Sequence, residues 1–303
     1  MPVYEAAVSA SDGTSHGHML DLVGGGTQVL DVGCATGYLA RALVERGCQV
    51  SGIELVAEAA EQARPVLDQL VVGDVATLDL AAELGERRFD YIVLGDILEH
   101  LAAPAAVLRS LVRLLAPRGS VVVSTPNVSH GALRLALLQG RWQYQDRGLL
   151  DRTHLRFFTR ASLLELLHDA GLSVARMHPT LLDPLDSEID IDVAALPDGI
   201  VDWVRSQPDA IVYQWVLRAV VDDAEGYTAS VVAELEDLRR TTDALRAELA
   251  QASAERARVS AELARVSADR DAARADVELI RSTKAWRTAE SLRQAAAWAR
   301  PGR

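Results

Sequence analysis

The feature that most constrains this chain is a series of short apolar segments, each ending in glycine and an acidic residue. The first covers residues 29–33 and runs into a glycine turn that ends at Gly37, after which residues 38–44 have helical spacing. Three more such segments end at Glu54, Asp74 and Asp96. Buried strands that alternate with helices predict a parallel sheet whose ligands lie at the carboxyl ends of its strands.

The acidic strand ends indicate the type of ligand. A dinucleotide is disfavoured, because Ala35 stands where the phosphate-binding fingerprint has its second glycine. Carboxylates at the ends of the second and third strands instead suit ribose hydroxyls and an exocyclic amine. The sequence therefore predicts a nucleoside-containing ligand that is held without a phosphate-cradling loop.

Five motifs follow one another in a fixed order: DVGCATG at 31–37, GIE at 52–54, GDV at 73–75, LEHL at 98–101 and LAPRG at 115–119. The last of them, with its proline and glycine, predicts a turn. In that order the five motifs resemble class I S-adenosylmethionine-dependent methyltransferases over residues 15–220. The resemblance implies a Rossmann-like α/β fold with a seven-stranded, mostly parallel sheet and helices on both faces. It also implies S-adenosylmethionine as the cofactor.

The same resemblance implies roles for individual residues. The methionine part of the cofactor would lie near Asp31 and Gly33, the ribose diol on Glu54, and the adenine at Asp74 and Val75. The predicted cofactor set is Asp31, Gly33, Cys34, Ala35, Gly37, Glu54, Leu55, Asp74, Val75, Gly95 and Asp96.

Residues 126–160 and the LEHL motif are the predicted acceptor region. Residues 126–130 and 149–159 resemble a subgroup of these methyltransferases found beside glycosyltransferases in surface-polysaccharide and glycosylated-metabolite pathways. Methyl transfer to a hydroxyl requires alignment and removal of a proton, a task that suits histidine. We predict His154 as the general base, with His100 and His130 as alternatives. The competing interpretation of His154 is a hydrogen-bonded core histidine. For Glu99 and His100 the competing interpretation is that they cap the start of a helix. The predicted acceptor contacts are Glu99, Asn127, Arg152 and Arg156.

Arginine is concentrated in the same region. Six arginines, at positions 134, 141, 147, 152, 156 and 160, lie among only two acids, Asp146 and Asp151. An arginine fork binds two oxygens of an anionic group, so the cluster favours a charged acceptor. The competing expectation is that at least half of these arginines pair with acids elsewhere in the domain.

A heptad pattern begins at Leu235 and continues without a break to Ile280. Apolar residues occupy eleven of its fourteen core positions, and the run contains neither proline nor glycine. A seven-residue repeat of this length predicts a coiled coil over 229–280, which we expect to form a homodimer. The tail, residues 281–303, has six basic residues against Glu290 alone, with Trp286 and Trp298. We expect it either to contact an anionic membrane or a polysaccharide-assembly partner, or to be a solvated end.

Charge and composition narrow the remaining classes. Residues 1–228, the predicted catalytic domain with an acidic insertion at 181–210, hold 17 basic and 31 acidic side chains. That balance disfavours a nucleic-acid substrate. The acids of the insertion fit no compact metal-binding loop, and we predict no metal site. The two cysteines are predicted to be reduced core residues. No secretory signal or membrane span is apparent, so we expect a cytoplasmic protein. The basic tail could place it at the inner face of the membrane.

These observations favour an O-methyltransferase that acts on a hydroxyl of a sugar or a glycan-linked acceptor. Two alternatives stay open from the sequence. The acceptor is instead a small quinone-like or polyketide hydroxyl, for which an apolar pocket without arginines is expected. Or the domain is a scaffold without catalysis, and the coiled coil binds the partners.

Overall fold

The computed structural model describes residues 13–222, 251, 255–256, 258–260 and 262–298. The chain divides into two compact units, Met1–Leu235 and Glu236–Arg303. The first holds the whole sheet, and the described part of the second is helical.

The first unit is built on one seven-stranded sheet with the strand order β3-β2-β1-β4-β5-β7-β6. Strands β1 to β5 pair in parallel, whereas β7 runs antiparallel between β5 and β6. This confirms the predicted Rossmann-like sheet. The strands are β1 Gln28–Val32, β2 Gln49–Glu54, β3 Gln69–Val72, β4 Phe89–Gly95, β5 Leu115–Pro126, β6 Leu172–Leu181 and β7 Val212–Val221.

Helices connect the strands, and their ends follow local chemistry. Pro65 stops the third helix because its backbone lacks an N–H, and the chain continues as a 3₁₀ turn over Arg64–Val66. Pro104 begins the fifth helix in the first turn, where a missing N–H is tolerated. The helices are α1 Ser15–Val23, α2 Tyr38–Glu45, α3 Ala57–Ala63, α4 Leu80–Leu84, α5 Pro104–Val112, α6 Gly131–Leu138, α7 Arg160–Asp169 and α8 Ile200–Arg205, with further 3₁₀ turns at Leu98–His100 and Val193–Ala195.

The core lies on both faces of the sheet because neighbouring strand residues point to opposite sides. Val29 and Val93 pack with the buried face of α1 and α2. Leu30 and Ile92 pack on the other side, in the cluster that includes the buried residues of α5 and α7. The described helices therefore cover both faces of the sheet, which leaves the ends of its strands for a site.

One local prediction was wrong. Residues 115–119 were expected to form a turn, but they are the first part of β5, and Leu115 pairs with Phe89. A register shift between Phe89 and Tyr91 accommodates them, and Arg118 adopts a positive φ of 67°. A bulge of this kind keeps the strand paired while it absorbs an irregular backbone.

In the second unit, the described residues 262–282 are helical and Lys284–Trp298 is a second helix. The heptad residues described there have large exposed fractions, such as 69% for Leu263 and 54% for Ile280. The first half of the repeat, from Leu235 to Ala252, lies outside the described residues except for position 251. No helix in the described part of the chain is long and apolar enough to cross a membrane.

Candidate active site

A cavity of about 440 Å³ lies at the carboxyl ends of the central strands. Its walls come from the turns that follow β1, β2, β3 and β4, from the start of β7, and from residues 147–154. Of the predicted cofactor set, the lining includes Gly33, Ala35, Glu54, Leu55, Asp74, Val75, Gly95 and Asp96; of the predicted acceptor and catalytic set, it includes Glu99, His100 and His154.

Glu54 is fixed at the end of β2. One carboxylate oxygen accepts a hydrogen bond from the backbone N–H of Ala35 (2.9 Å) and the other from that of Val56 (2.8 Å). Each oxygen has a second lone pair, so the carboxylate can still accept from a ligand. Its position at the cavity wall therefore suits a pair of ribose hydroxyls.

The turn after β1 brings two small residues, Gly33 and Ala35, to the cavity. Gly33 has a φ of 77°, and a Cβ at this position would overlap the side chain of Ile97, which belongs to the turn after β4. Ala35 also has a positive φ, 47°, which is uncommon for a residue with a Cβ. Its N–H points to Glu54, so the strained conformation supplies one of the bonds that hold this carboxylate.

Asp31 lies behind this turn and does not line the cavity. It is 3% exposed, and its Oδ2 has no hydrogen-bond partner among the described residues. Burial, together with the nearby Glu54 carboxylate, raises the pKa of Asp31 to about 7. A buried carboxylate oxygen without a partner is unfavourable, so this oxygen would be stabilised by a cationic group nearby.

Two other members of the predicted cofactor set also lie outside the lining. Cys34 is buried, with its Sγ against Gly52, and burial raises the pKa of its thiol. Gly37 begins α2 and packs against Ala63. Both shape the turn, but neither touches the cavity.

Asp96 lies at the end of β4, between the predicted cofactor residues and the predicted acceptor residues of the cavity lining. It has a positive φ of 54°. Its carboxylate accepts hydrogen bonds from Ser124 Oγ (2.7 Å) and from the Gln214 side-chain amide (3.1 Å). These contacts join β4, β5 and β7 and hold the carboxylate in place.

Glu99 is almost fully buried, with 1% of its surface exposed. Its Oε2 accepts a hydrogen bond from Thr125 Oγ1 (3.1 Å), whereas Oε1 has no partner among the described residues. Burial, and secondarily the charge of Asp96, raise the pKa of Glu99 well above its usual range.

His100 and His154 face one another beside Glu99, with ring centroids 4.9 Å apart and planes at 70°. The Glu99 carbonyl accepts hydrogen bonds from Leu155 N (2.8 Å) and Arg156 N (3.0 Å), which tie the two segments together. Burial, and then the neighbouring His100, lower the pKa of His154. His154 is therefore neutral at neutral pH, as a proton acceptor must be.

The structure does not bring His130 and Asn127 to the cavity. The His130 ring lies 2.9 Å from the Leu182 carbonyl through Nε2, and its Nδ1 accepts from Ala132 N at the start of α6. The Asn127 amide donates to the carbonyls of Asp209 and Val212. Both side chains therefore bind backbone groups of distant segments, and neither belongs to the cavity lining.

Most arginines of the predicted cluster also lie outside the cavity lining. Arg152 pairs with Asp146 (2.6 Å) and Arg156 donates to the Ala102 carbonyl, so neither predicted acceptor contact lines the cavity. Only one of the six arginines, Arg147, belongs to the lining. The other three contact Ser129 and Pro208 (Arg134), Asp190 (Arg141) and the Trp215 ring (Arg160).

Several lining residues were not predicted. Tyr213 and Gln214 come from the first part of β7, which reaches the cavity because that strand is antiparallel to the others. Asp151 and Thr153 precede the predicted His154 and also line the cavity. Only the topology could have predicted Tyr213 and Gln214: an antiparallel last strand begins at the end of the sheet where the parallel strands finish.

Part of this chain is similar in sequence to known proteins. A profile described as a methyltransferase domain matches residues 17–176. Two ubiquinone biosynthesis O-methyltransferases are similar: that of Aeromonas salmonicida is 28% identical over 60% of this chain and 78% of its own length. That of Xanthomonas oryzae pv. oryzae is 35% identical over 54% of this chain and 70% of its own length.

Among solved structures, a SAM-dependent methyltransferase from Archaeoglobus fulgidus aligns with a TM-score of 0.49 and 15% identity, over 68% of this chain and 92% of that one. The profile match covers more than half of the 303 residues. The chain therefore belongs to the methyltransferase domain family and is an S-adenosylmethionine-dependent methyltransferase.

Proposed function

We propose that this enzyme transfers the methyl group to a hydroxyl oxygen of a small acceptor. The observation that carries the proposal is the pair of imidazoles, His100 and His154, in the cavity wall beside Glu99 and beyond Asp96. A hydroxyl is a weak nucleophile until it loses its proton, and a neutral histidine at the reacting end of the cavity accepts one.

The described residues fit the cofactor at the other end. Glu54 would hold the ribose diol, and Asp74 with Val75 would hold the adenine. Gly33, which lines the cavity, and the unpaired oxygen of Asp31 behind the same turn would lie near the methionine part. When bound, S-adenosylmethionine supplies a methyl group on a positively charged sulfur.

The chain itself has three tasks in this reaction. Ile97 and Leu101 line the cavity with apolar surface, which excludes water from the reacting groups. Asp96, held by Ser124 and Gln214, fixes the border between cofactor and acceptor. His154 takes the hydroxyl proton while the oxygen is aligned with the methyl carbon.

The acceptor that we favour is a phenolic, quinone-like hydroxyl. The two similar O-methyltransferases act in ubiquinone biosynthesis, and the arginines that suggested a charged sugar mostly pair outside the cavity. A sugar hydroxyl is the second candidate, because Arg147, Asp151 and Gln214 give the cavity a polar side. The subgroup resemblance at residues 126–160 stays a prediction.

The direct test is methyl transfer from S-adenosylmethionine to a catechol-type phenol and to a simple glycoside, followed by mass spectrometry. We expect transfer to the phenol. His154→Ala should lower kcat by about a hundredfold or more, the scale of general-base catalysis, and leave the affinity for S-adenosylhomocysteine unchanged. His168→Ala is the matched control, because that histidine is exposed and lies outside the cavity lining. Transfer to the glycoside alone would favour the sugar, and full activity of His154→Ala would remove that residue as the base.

A further inference from the structure

We propose that Glu99, His100 and His154 form a binding site for a divalent transition-metal cation at the acceptor end of the cavity. One carboxylate oxygen and one ring nitrogen from each histidine lie within 4.8 Å of one another. Ligand atoms about 2.1 Å from a tetrahedral zinc ion are roughly 3.4 Å apart, so small side-chain movements complete the site.

The buried carboxylate is the second observation that points to a ligand. Glu99 is 1% exposed, and one of its oxygens lacks a partner among the described residues, although its other oxygen is bonded to Thr125. Leaving a buried polar atom unpaired is unfavourable, and native structures rarely do so without a function. A cation between the carboxylate and the imidazoles supplies the missing partner.

Each of the two histidines already makes a hydrogen bond through its ring, as metal-ligating histidines do. His100 Nδ1 lies 3.3 Å from the Thr153 carbonyl and 3.2 Å from Thr153 Oγ1, which itself donates to Asp151 (2.6 Å). His154 is hydrogen-bonded to the backbone of Leu149. In metal sites, contacts of this kind orient an imidazole whose other nitrogen coordinates the ion.

The donor set selects the class of cation. Two imidazoles and one carboxylate suit Zn²⁺, Co²⁺ or Mn²⁺, whereas Ca²⁺ and Mg²⁺ prefer oxygen ligands only. Three protein ligands leave at least one coordination position, and the cavity lies beside all three residues. That position would take the acceptor oxygen, a role that rests on the proposed function. The cation would lower the hydroxyl's pKa, so its proton would pass to water and His154 would act as a ligand.

Zinc binding tests the site without any need for the acceptor. The full-length protein is treated with a chelator, dialysed, and titrated with ZnCl₂ by calorimetry at neutral pH. We expect one Zn²⁺ per chain. Glu99→Gln keeps the shape of the side chain but removes a ligand, and it should weaken zinc binding at least about a hundredfold. That factor is the largest usual loss of metal affinity when only a residue outside the ligand set is changed. His100→Gln is the second variant, should Glu99→Gln fail to fold. His168→Gln, an exposed histidine outside the lining, should bind as the wild type does.

Two results would overturn the metal site: no zinc binding by the wild type, or equal affinity in the wild type and the cluster variants. Co²⁺ gives an independent readout, because its d–d absorption on binding should disappear in His100→Gln. Calorimetry of the same chelator-treated protein with S-adenosylhomocysteine separates the two proposals. Cofactor binding without zinc binding would leave the methyl-transfer function intact, with His154 as its base.

Discussion

Glu54 occupies the position at which one carboxylate meets both the protein and the expected ribose. We expect Glu54→Ala to weaken the binding of S-adenosylhomocysteine by about 1.5–3 kcal/mol, the scale for hydrogen bonds to a charged group. Calorimetry measures this, with circular dichroism to verify the fold, because Ala35 and Val56 lose their acceptor. Glu58→Ala, on the exposed face of α3, is the control. An unchanged affinity for the Glu54 variant would remove it from the cofactor site.

Asp31 should make the stability of the protein depend on pH. Its folded pKa of about 7 lies above the unfolded value, so between the two the folded state holds a proton that the unfolded state has released. The Asp31 contribution to the free energy of unfolding should therefore rise as the pH falls from 8 to 5, by about 3 kcal/mol. Thermal unfolding across this range should have a flatter profile in Asp31→Asn than in the wild type.

The cofactor offers a second readout of the same residue. If the ammonium of the cofactor lies near Asp31, it should stabilise the carboxylate of that residue. With saturating S-adenosylhomocysteine, the difference in unfolding temperature between the wild type and Asp31→Asn should therefore depend less on pH. Parallel profiles for the wild type and Asp31→Asn without ligand would show that Asp31 does not carry the buried charge.

Single residues also show where sequence reasoning reached its limit. Glu54 and Asp74 were found because they end apolar strands, a pattern that is local in the chain. Asn127 and Arg152 carry the right chemistry for an acceptor, but their partners were not visible: Asn127 bonds to carbonyls more than 80 positions away, and Arg152 pairs with Asp146. A side chain's type predicts what it can bind, whereas tertiary contacts decide whether it is free to do so.

At the scale of elements, the cavity depends on close packing of the turn after β1 against the turn after β4. We expect Gly33→Ala to destabilise the protein by about 1–3 kcal/mol more than a positive φ alone explains, because its new Cβ would overlap Ile97. Gly199→Ala is the control: Gly199 has the same φ of 77° in the left-handed region, and a Cβ added there would have nothing within 4 Å among the described residues. Denaturant unfolding gives both free energies.

A second substitution tests whether the overlap with Ile97 causes the loss of stability in Gly33→Ala. Ile97→Val removes the Cδ1 atom nearest to the added Cβ, so it should recover part of the stability lost in Gly33→Ala. It should recover none of the stability lost in Gly199→Ala. Equal losses in the two glycine variants would mean that backbone strain alone is responsible.

Elements were easier to predict than the way they meet. Apolar runs and helical spacing located the strands and most of the helices, because local pattern and tertiary packing agree there. The acceptor half of the cavity instead depends on contacts between distant segments, such as Glu99 with residues 155–156 and Asp96 with Gln214. No local pattern encodes such pairings, so Tyr213 and Gln214 could be found only from the topology.

At the scale of the whole molecule, the heptad repeat leads us to expect a homodimer. Leu263 and Val266 occupy core positions of the repeat and are 69% and 53% exposed in the single chain. A seam of this length has no partner within its own helix, and pairing with a second copy would bury it. Sedimentation equilibrium at micromolar concentration should therefore give a dimer for the full chain, and a folded monomer that still binds S-adenosylhomocysteine for a chain truncated after Gly226.

A matched pair of substitutions identifies the seam as the cause. Leu263→Glu places a charge at a core position and should shift the full chain towards monomer, because burying an unpaired carboxylate is unfavourable. Leu279→Glu adds the same charge to a leucine that is also 69% exposed but lies off the seam, so this variant should remain dimeric. If both variants dimerise as the wild type does, the subunits associate elsewhere. If the wild type itself is monomeric, the helix pairs with a different chain or with none.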